Sequence, residues 1–350
     1  MTREEDDAQA GTTALDRLSP AKRALFEQSL LGRGPRQPRL SPVNRRAGEG
    51  PARLSFAQAQ LWYFSRLAPE NPVYNESVNI RKEGSFDHPA FVRAFSEIVR
   101  RHEAWRTTFV LLDGEAVQRV GEPPTIDLPL QDLSSRSFEE AESEAAALAV
   151  ADALAPYDLA AGPLVRPRLV KLADGHHRLY LGMHHLVFDG VSLYQIILPE
   201  LVALYDAFAA GNDSPLPEPA VRYGDYAEWE REWMESPPAA TRLAHWRTRL
   251  EGVSALDLPF DHARPMTQLF RGRLESFRLP AEAADALRSL ATSLRVTFFQ
   301  VLAACYAVLL HRYSGQDDVA FGTPSDLRQR PELQPVVGMC LTPLVLRCNL

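Results

Sequence analysis

The stretch MHHLVFDGVS, residues 183–192, carries more chemical information than any other part of this chain. An alternating apolar segment that predicts a strand precedes it, and a long helical segment follows it. A strand-to-helix corner places side chains at the mouth of a cleft, where a neutral imidazole of His184 or His185 could orient or deprotonate a nucleophile. Gly190 is expected to adopt a backbone conformation that a Cβ would forbid. The stretch therefore predicts a functional loop, with two structural histidines at a strand end as the alternative.

Asp189 lies too close to the histidines along this turn to be assumed a catalytic base. Because a buried carboxylate needs a cationic partner, we expect Asp189 to lock the loop by pairing with an arginine; the alternative is an ordinary helix cap. Ser192 also fits a helix N-cap. A metal site is not expected, because adjacent strand residues such as His184 and His185 point in opposite directions and no other ligands are suitably spaced.

Outward from this loop, apolar residues alternate between helical and strand periodicity. The predicted helices are Ser55–Leu67, His88–His102, Phe138–Ala153, Val191–Phe208, Tyr223–Met234, Ala240–Glu251, Ala281–Ser293 and Thr297–Tyr313. The predicted strands are Asn75–Arg81, Phe109–Leu112, Ala116–Val120, Leu164–Leu172, His177–Met183, Leu274–Leu279, Val319–Gly322 and Leu344–Leu350. The mixture predicts an α/β or α+β protein. The nearly apolar run Phe298–Leu310 is too short to span a bilayer and predicts a buried helix.

The chain divides into three predicted regions. Residues 1–53 hold a short amphipathic helix that begins near Ser19, followed by a linker rich in proline, glycine and arginine. Residues 54–211 form a first lobe and residues 212–350 a second, with the boundary at a proline-rich crossing segment. A chain of 350 residues is long enough for two such lobes.

Composition narrows the class of protein. An apolar fraction of 45% and a charged fraction of 24% are typical of a globular chain. The net charge is 38 − 45 = −7, so no general attraction to nucleic acid or an anionic membrane is expected. Three cysteines without CxxC spacing argue against a disulfide framework. With no recognisable secretory signal, we expect a cytoplasmic protein.

The loop HHLVFDG, residues 184–190, resembles the HHxxxDG signature of the condensation domains of nonribosomal peptide synthetases. Four other segments resemble further motifs of that family in the same order: LSFAQAQLW at 54–62, RHEAWRTTF at 101–109, YGDYAEW at 223–229, and residues 337–347. The last motif departs from the family pattern GxFVNT, because Thr342 replaces the asparagine and Pro343 removes a backbone donor.

The resemblance implies a two-lobed fold similar to chloramphenicol acetyltransferase, with a tunnel between the lobes. Family members continue beyond the strand that reaches residue 350, so the second lobe is expected to be incomplete. The implied reaction is amide (peptide) bond formation between a carrier-bound acyl or peptidyl thioester and a carrier-bound aminoacyl group, in nonribosomal peptide or hybrid polyketide–peptide biosynthesis. The implied partners are upstream donor and downstream acceptor carrier domains, with an adenylation domain downstream. Substrates arrive on the carriers' phosphopantetheine, and no cofactor is bound directly.

The resemblance also assigns roles to individual residues. His185 is the catalytic residue, which orients the acceptor amine or takes its proton. The residues that the resemblance expects to support the active site are His184, Asp189, Gly190, Arg101 and Arg106. Arg101 is the expected partner of Asp189. The candidates for lining the substrate tunnel are Ser192, Tyr223, Trp229 and Thr342. Without the resemblance, the two arginines would be solvated residues at a helix end, and the two aromatic residues would be core residues.

Two other functions stay open at this point: a stand-alone acyltransferase that uses a soluble thioester such as acyl-coenzyme A, and a catalytically silent scaffold that docks carriers. The strand Leu344–Leu350 ends the chain without a following partner. An uncovered apolar strand exposes unpaired backbone groups, so we expect the isolated 350 residues to aggregate and to lack measurable condensation activity.

Overall fold

A computed structural model describes residues 42–46, 48, 50–263, 266, 270 and 272–350. Val43–Leu350 form one compact unit. Val43 is buried in its core, and Ala52–Arg53 form its first strand, so this unit begins before residue 54, where the first lobe was predicted to start. The helix predicted near Ser19 lies outside the described residues.

Helices and strands alternate along the unit. The α-helices are α1 Phe56–Leu67, α2 His88–Arg101, α3 Phe138–Leu154, α4 Leu198–Ala209, α5 Tyr223–Met234, α6 Pro237–Leu250, α7 Ala281–Leu294 and α8 Phe298–Ser314. The strands are β1 Ala52–Arg53, β2 Asn75–Glu83, β3 Thr107–Leu112, β4 Glu115–Val120, β5 Leu130–Asp132, β6 Val165–Ala173, β7 His176–His184, β8 Asp318–Asp326 and β9 Leu341–Asn349. The predicted mixed class is confirmed.

The strands form three sheets, ordered β2-β7-β6-β5, β1-β4-β3 and β8-β9. In the first sheet β7 is antiparallel to both neighbours and brings Asn75 opposite His184. The hairpin β3–β4 turns at Asp113 and Gly114, whose φ angles of 51° and 86° suit the predicted two-residue turn. The strand order thus places the histidine pair at the end of a central strand.

Local sequence explains several element boundaries. Ser55 accepts the backbone N–H of Gln58 while the Gln58 side chain accepts that of Ser55, a capping box that starts α1. Pro199 does not break the predicted long helix. Instead the helix passes through a π-helical segment, Ser192–Ile197, in which Leu198 N–H donates to the Leu193 carbonyl five residues back. Such π segments are frequently found at functional sites.

Two predictions in the second half of the chain are wrong. Residues 274–279 are not a strand, because no described strand lies beside them, and Leu274 and Phe277 are 88% and 86% exposed. The predicted helix after residue 297 exists as α8, but it is buried on one face only: Val301 is buried, whereas Phe299 and Leu309 are half-exposed. Composition indicated the helix but not which of its faces other elements cover.

No single helix within the described ranges is long and apolar enough to cross a membrane. The pair α7 and α8 reaches that length and composition jointly, with a bend of 109° between the two helices.

Candidate active site

The loop between β7 and the following helix is built around a buried aspartate. Strand β7 ends at His184, a single 3₁₀ turn covers His185–Val187, and helical geometry resumes at Gly190. Asp189 Oδ1 accepts the Ser192 N–H at 2.7 Å, and the Asp189 carbonyl accepts the Leu193 N–H at 3.0 Å. Asp189 is therefore the helix cap, and the prediction that Ser192 has this role is wrong.

Asp189 is also one half of a buried ion pair. Arg328 donates from Nη1 to Asp189 Oδ2 at 2.9 Å and from Nη2 to Asp189 Oδ1 at 3.1 Å. The two side chains are 2% and 0% exposed. This bidentate geometry is the strong form of a charge-assisted hydrogen bond. The prediction that an arginine pairs with Asp189 is confirmed.

The partner predicted for Asp189 is wrong. Arg101 ends α2, where its side chain contacts Glu200 Oε2 at 3.2 Å and donates to the Pro217 carbonyl at 2.8 Å. Arg106 donates to the Gly121 carbonyl. Both arginines lie at or just after the end of α2, but the fold directs them to α4 and to the end of β4. Neither therefore supports the Asp189 loop directly.

Arg328 connects this loop to the segment 338–340. Its Nη2 donates to Ser192 Oγ at 2.7 Å and to the Gly338 carbonyl at 3.1 Å, and the Cys340 N–H donates to Asp189 Oδ2 at 2.8 Å. Burial raises the pKa of the Cys340 thiol well above its ordinary range, so this thiol stays neutral and is not a nucleophile. The segment with the unusual family motif is thus fixed to the histidine loop through backbone groups.

The two glycines of this network differ in what they permit. Gly190 has ordinary helical surroundings, with no atom within 4 Å of the place a Cβ would take, so the prediction that Gly190 needs a special conformation is wrong. Gly338 has φ 148°, and a Cβ there would lie 1.9 Å from Tyr223 Cδ2. The close approach of backbone to ring is possible only for glycine.

Gly338→Ala is expected to lower the free energy of unfolding by about 1–3 kcal/mol or more, because the methyl group overlaps the buried Tyr223 ring. Gly190→Ala is the matched control, since it adds the same methyl group to open space. Urea unfolding of both variants measures the difference. Equal stability of the two variants would contradict the close packing of Gly338 on Tyr223.

His184 is buried and neutral. Its Nδ1 accepts the Leu186 N–H at 3.2 Å, which places the proton of the neutral ring on Nε2. Tyr74 and Tyr157 lie edge-on to the ring, with centroids 6.2 and 5.9 Å away. Burial, with a smaller contribution from His185, lowers the pKa of His184 to about 4. The ring also borders a cavity of about 520 Å³, whose other walls include Trp62 of α1.

Acidification is expected to destabilise the fold through His184. In the unfolded chain this residue binds a proton below about pH 6.5, whereas in the folded chain it does so only near pH 4. The contribution of neutral His184 to the free energy of unfolding is fully present above pH 6.5. It is lost as the pH falls toward 4, by about 1.4 kcal/mol per pH unit. His184→Asn keeps an acceptor for the Leu186 N–H without titrating. Urea unfolding at several pH values should show a shallower pH dependence for this variant than for the parent, and parallel curves would contradict the assignment.

His185 differs from its neighbour in exposure and contacts. Its side chain is 25% exposed, and its ring stacks on Phe188 with centroids 4.8 Å apart and planes at 6°. Nδ1 lies 3.4 Å from the Phe188 carbonyl, and Nε2 lies 3.4 Å from Glu76 Oε1. An Nδ1–H donated to the Phe188 carbonyl leaves the lone pair on Nε2, the ring atom that faces Glu76.

Glu76 was missed by the sequence reasoning. It follows Asn75 at the start of β2, and the antiparallel register places Asn75 opposite His184 and Glu76 next to the strand end. The register of β2 on β7 was the signal that could have found it. Among the residues the structure describes, no group of three or more His, Cys, Asp or Glu side chains is arranged to hold a metal ion.

The four tunnel candidates occupy different environments. Ser192 is fully buried in the Arg328 network, and Tyr223 is 2% exposed, with its hydroxyl donating to the Met339 carbonyl at 2.6 Å. This burial corrects the prediction that these two residues line a tunnel, because their polar atoms are already bonded inside the protein. Trp229 is half-buried, with the Arg330 guanidinium 5.7 Å from its ring, and Thr342 lies on β9 opposite Ser325.

Comparison with known proteins gives the family. The profile described as "Condensation domain" matches residues 49–350. A component of the linear gramicidin synthase of Brevibacillus parabrevis is 37% identical over 339 residues, which are 94% of this chain and 6% of that protein. Phosphinothricin tripeptide synthetase PhsC of Streptomyces viridochromogenes is 37% identical over 341 residues, 97% of this chain and 31% of that protein. The chain spans less than a third of the length of either relative.

Solved structures agree in fold. The X-domain from teicoplanin biosynthesis superposes with a TM-score of 0.78 at 25% identity, covering 88% of this chain and 68% of that one. A variant of the starter condensation domain of rhizomide synthetase RzmA in complex with C8-CoA gives 0.73 at 26% identity, covering 86% and 66%. The mixed fold is therefore of the predicted chloramphenicol-acetyltransferase-like class. With its profile match over residues 49–350, the chain belongs to the condensation domain family.

Proposed function

We propose that this chain catalyses amide bond formation between two carrier-bound substrates in the synthesis of a nonribosomal peptide or a hybrid polyketide–peptide. The donor is an acyl or peptidyl thioester, and the acceptor is an aminoacyl thioester. Both are presented on phosphopantetheine arms, and no cofactor bound directly by the chain takes part. Membership of the condensation domain family and the synthetase relatives support this proposal.

The observation that carries the proposal is the position of the His185 ring. The ring is held on one side by Phe188, the side chain is 25% exposed, and Nε2 lies 3.4 Å from Glu76 Oε1. In the reaction the acceptor amine attacks the donor carbonyl carbon, a C–N bond forms, and the C–S bond breaks to release the donor thiol. Nε2 orients the amine or accepts its proton, and the proton ends on the leaving sulfur. Holding two reactants in place can supply up to about 7–11 kcal/mol of the barrier reduction.

The remaining site residues act by support. Asp189 and Arg328 hold the loop, and His184 fills the space behind it with a neutral ring. Because Asp189 and Arg328 are buried and bonded to each other, we assign these two residues no contact with substrate. Trp229 and Thr342 stay candidates for contact with the substrates. Arg101 and Arg106 support the site only indirectly, because Arg101 connects α2 to α4 and Arg106 bonds the end of β4.

The test is amide formation with a loaded carrier pair. The protein that carries this chain is supplied with a donor-loaded and an acceptor-loaded carrier, and the acceptor carrier is analysed by mass spectrometry. The proposal expects the acyl group on the acceptor carrier as an amide. Product from acyl-coenzyme A and a free amine without carriers would favour a stand-alone acyltransferase. Carrier binding without product would favour a docking scaffold.

The proposed partners are an upstream donor carrier, a downstream acceptor carrier and an adenylation domain that loads the acceptor, all in the cytoplasm. The reading frame around this chain provides a direct check. Coding sequence for an adenylation domain and a carrier downstream of these residues is the expected result. An unrelated enzyme in that position would contradict the proposed arrangement.

A further inference from the structure

A second cavity lies away from the histidine loop, between the β2-β7-β6-β5 sheet and α4. Its volume is about 280 Å³, slightly below the usual range for small-molecule sites. The walls are almost entirely apolar and include Ile80, Phe91, Leu169, Leu179, Leu201 and Val202. No residue of the 183–192 loop contributes to it, so it is a site separate from the one described above.

Aromatic rings give one wall of this cavity a defined shape. Phe86 lies against His177 with centroids 4.6 Å apart and is nearly parallel to Tyr205 at 6.0 Å. The Tyr205 hydroxyl accepts the Asp87 N–H at 2.9 Å, which ties α4 to the start of α2. A cavity with walls fixed in this way is formed in advance of any ligand, which is typical of small-molecule sites.

One polar side chain borders this apolar space without a partner. His177 is 6% exposed, and its Nδ1 is buried with no hydrogen bond to any described residue. Burial, followed by the nearby lysines, lowers the pKa of His177, so the ring is neutral at pH 7 and can donate one N–H. Buried polar groups are nearly always bonded in folded proteins, so the unpaired Nδ1 marks this wall as the one place around the cavity where a ring nitrogen lacks a partner among the described residues.

A cation stands next to His177 on the same face of the sheet. Lys82 on β2 is directly opposite His177 on β7, and the alternation of burial along β2 places Lys82 on the same face as Ile80. Lys82 donates to the neighbouring Glu83 carbonyl, and no described carboxylate forms an ion pair with it. The cavity is therefore bordered by a positive charge, with the buried His177 ring beside it.

We propose that this cavity binds a small amphipathic carboxylate, such as a medium-chain fatty acid. The apolar tail occupies the space between Leu179 and Val202, and the carboxylate pairs with the Lys82 ammonium. Ligands with the same apolar tail fill the cavity equally well whatever their head group. The positive charge of Lys82 therefore favours an anionic head group over a neutral or cationic one. This inference does not depend on the proposed condensation activity.

Isothermal titration of the full protein with sodium octanoate tests the proposal, with 1-octanol and octylammonium chloride as head-group controls. Octanoate is expected to bind saturably at one site and more tightly than either control. Lys82→Met should weaken octanoate binding about fivefold, as the loss of one partly exposed ion pair does. Arg119→Met is the matched control, because it removes an exposed cation from β4, a strand of another sheet that does not line this cavity. It should leave the affinity unchanged.

A second variant, Val202→Trp, tests where the apolar tail of the ligand binds. Val202 is 59% exposed at the edge of the cavity, so Val202→Trp can fill the opening without disturbing the core. This variant should keep the parent melting temperature and lose octanoate binding. Binding that survives Val202→Trp, or equal affinity for octanoate and octanol, would overturn the proposal. So would equal affinity of the Lys82→Met variant and the parent.

Discussion

Replacing His185 with alanine is expected to lower the rate of amide formation by about 100- to 10,000-fold, the usual range for a positioned general base. The melting temperature should hardly change, because the side chain is 25% exposed and its ring stacks on the neighbouring Phe188 of the same loop. The measurement is the time course of product on the acceptor carrier, with the melting temperature of each variant as the check on folding.

His176→Ala is the matched control for this experiment. His176 lies at the opposite end of β7, where its ring packs edge-on against Phe138 with centroids 5.5 Å apart. The His176→Ala variant should retain turnover. Retained turnover in His185→Ala would remove His185 from the mechanism, whereas a large fall in melting temperature would show that its role is structural.

Asp189→Ala is expected to lower the free energy of unfolding by about 3–5 kcal/mol, because it removes the fully buried counter-charge of Arg328 and leaves this guanidinium with the partly exposed Asp326 alone. The variant also removes the cap of the helix that follows the loop and an acceptor for the Cys340 N–H. Urea unfolding measures the effect. We expect activity to fall together with stability, since the loop carries His185.

Two further variants make this prediction specific. Asp189→Leu combined with Arg328→Met removes both charges and should cost less than the sum of the single changes, because neither charge is then stranded. Asp213→Ala breaks the exposed pair of Asp213 with Arg93 and should change stability by no more than about 0.5 kcal/mol. A stable but inactive Asp189→Ala protein would instead indicate a direct catalytic role for the carboxylate.

Local sequence was sufficient for most of the secondary structure and for the class of fold. Helices such as α1 and α5 begin and end within a residue or two of their predicted limits, because their caps and apolar periodicity are encoded nearby. The strand predicted at 274–279 failed for the opposite reason: a strand needs a partner, and its own residues do not say whether one lies beside it.

The side-chain contacts at the site also divide into those that the sequence indicated and those that only the tertiary structure shows. The sequence alone indicated that Asp189 needs an arginine and that His184 and His185 point to different sides of the chain. It did not identify Arg328, which is separated from Asp189 by 139 positions, nor Glu76 beside His185. Arg101 was the partner that the family motif suggested, yet it contacts Glu200.

The physical reason lies in the range of the interactions. A cap, a turn or an amphipathic face depends on residues within a few positions, so its energy is written into a short stretch of chain. A buried ion pair such as Asp189 with Arg328, or the contact of Gly338 with Tyr223, depends on where distant segments meet. Many arginines satisfy the charge requirement equally well, and only the packing of the whole unit determines which one reaches Asp189.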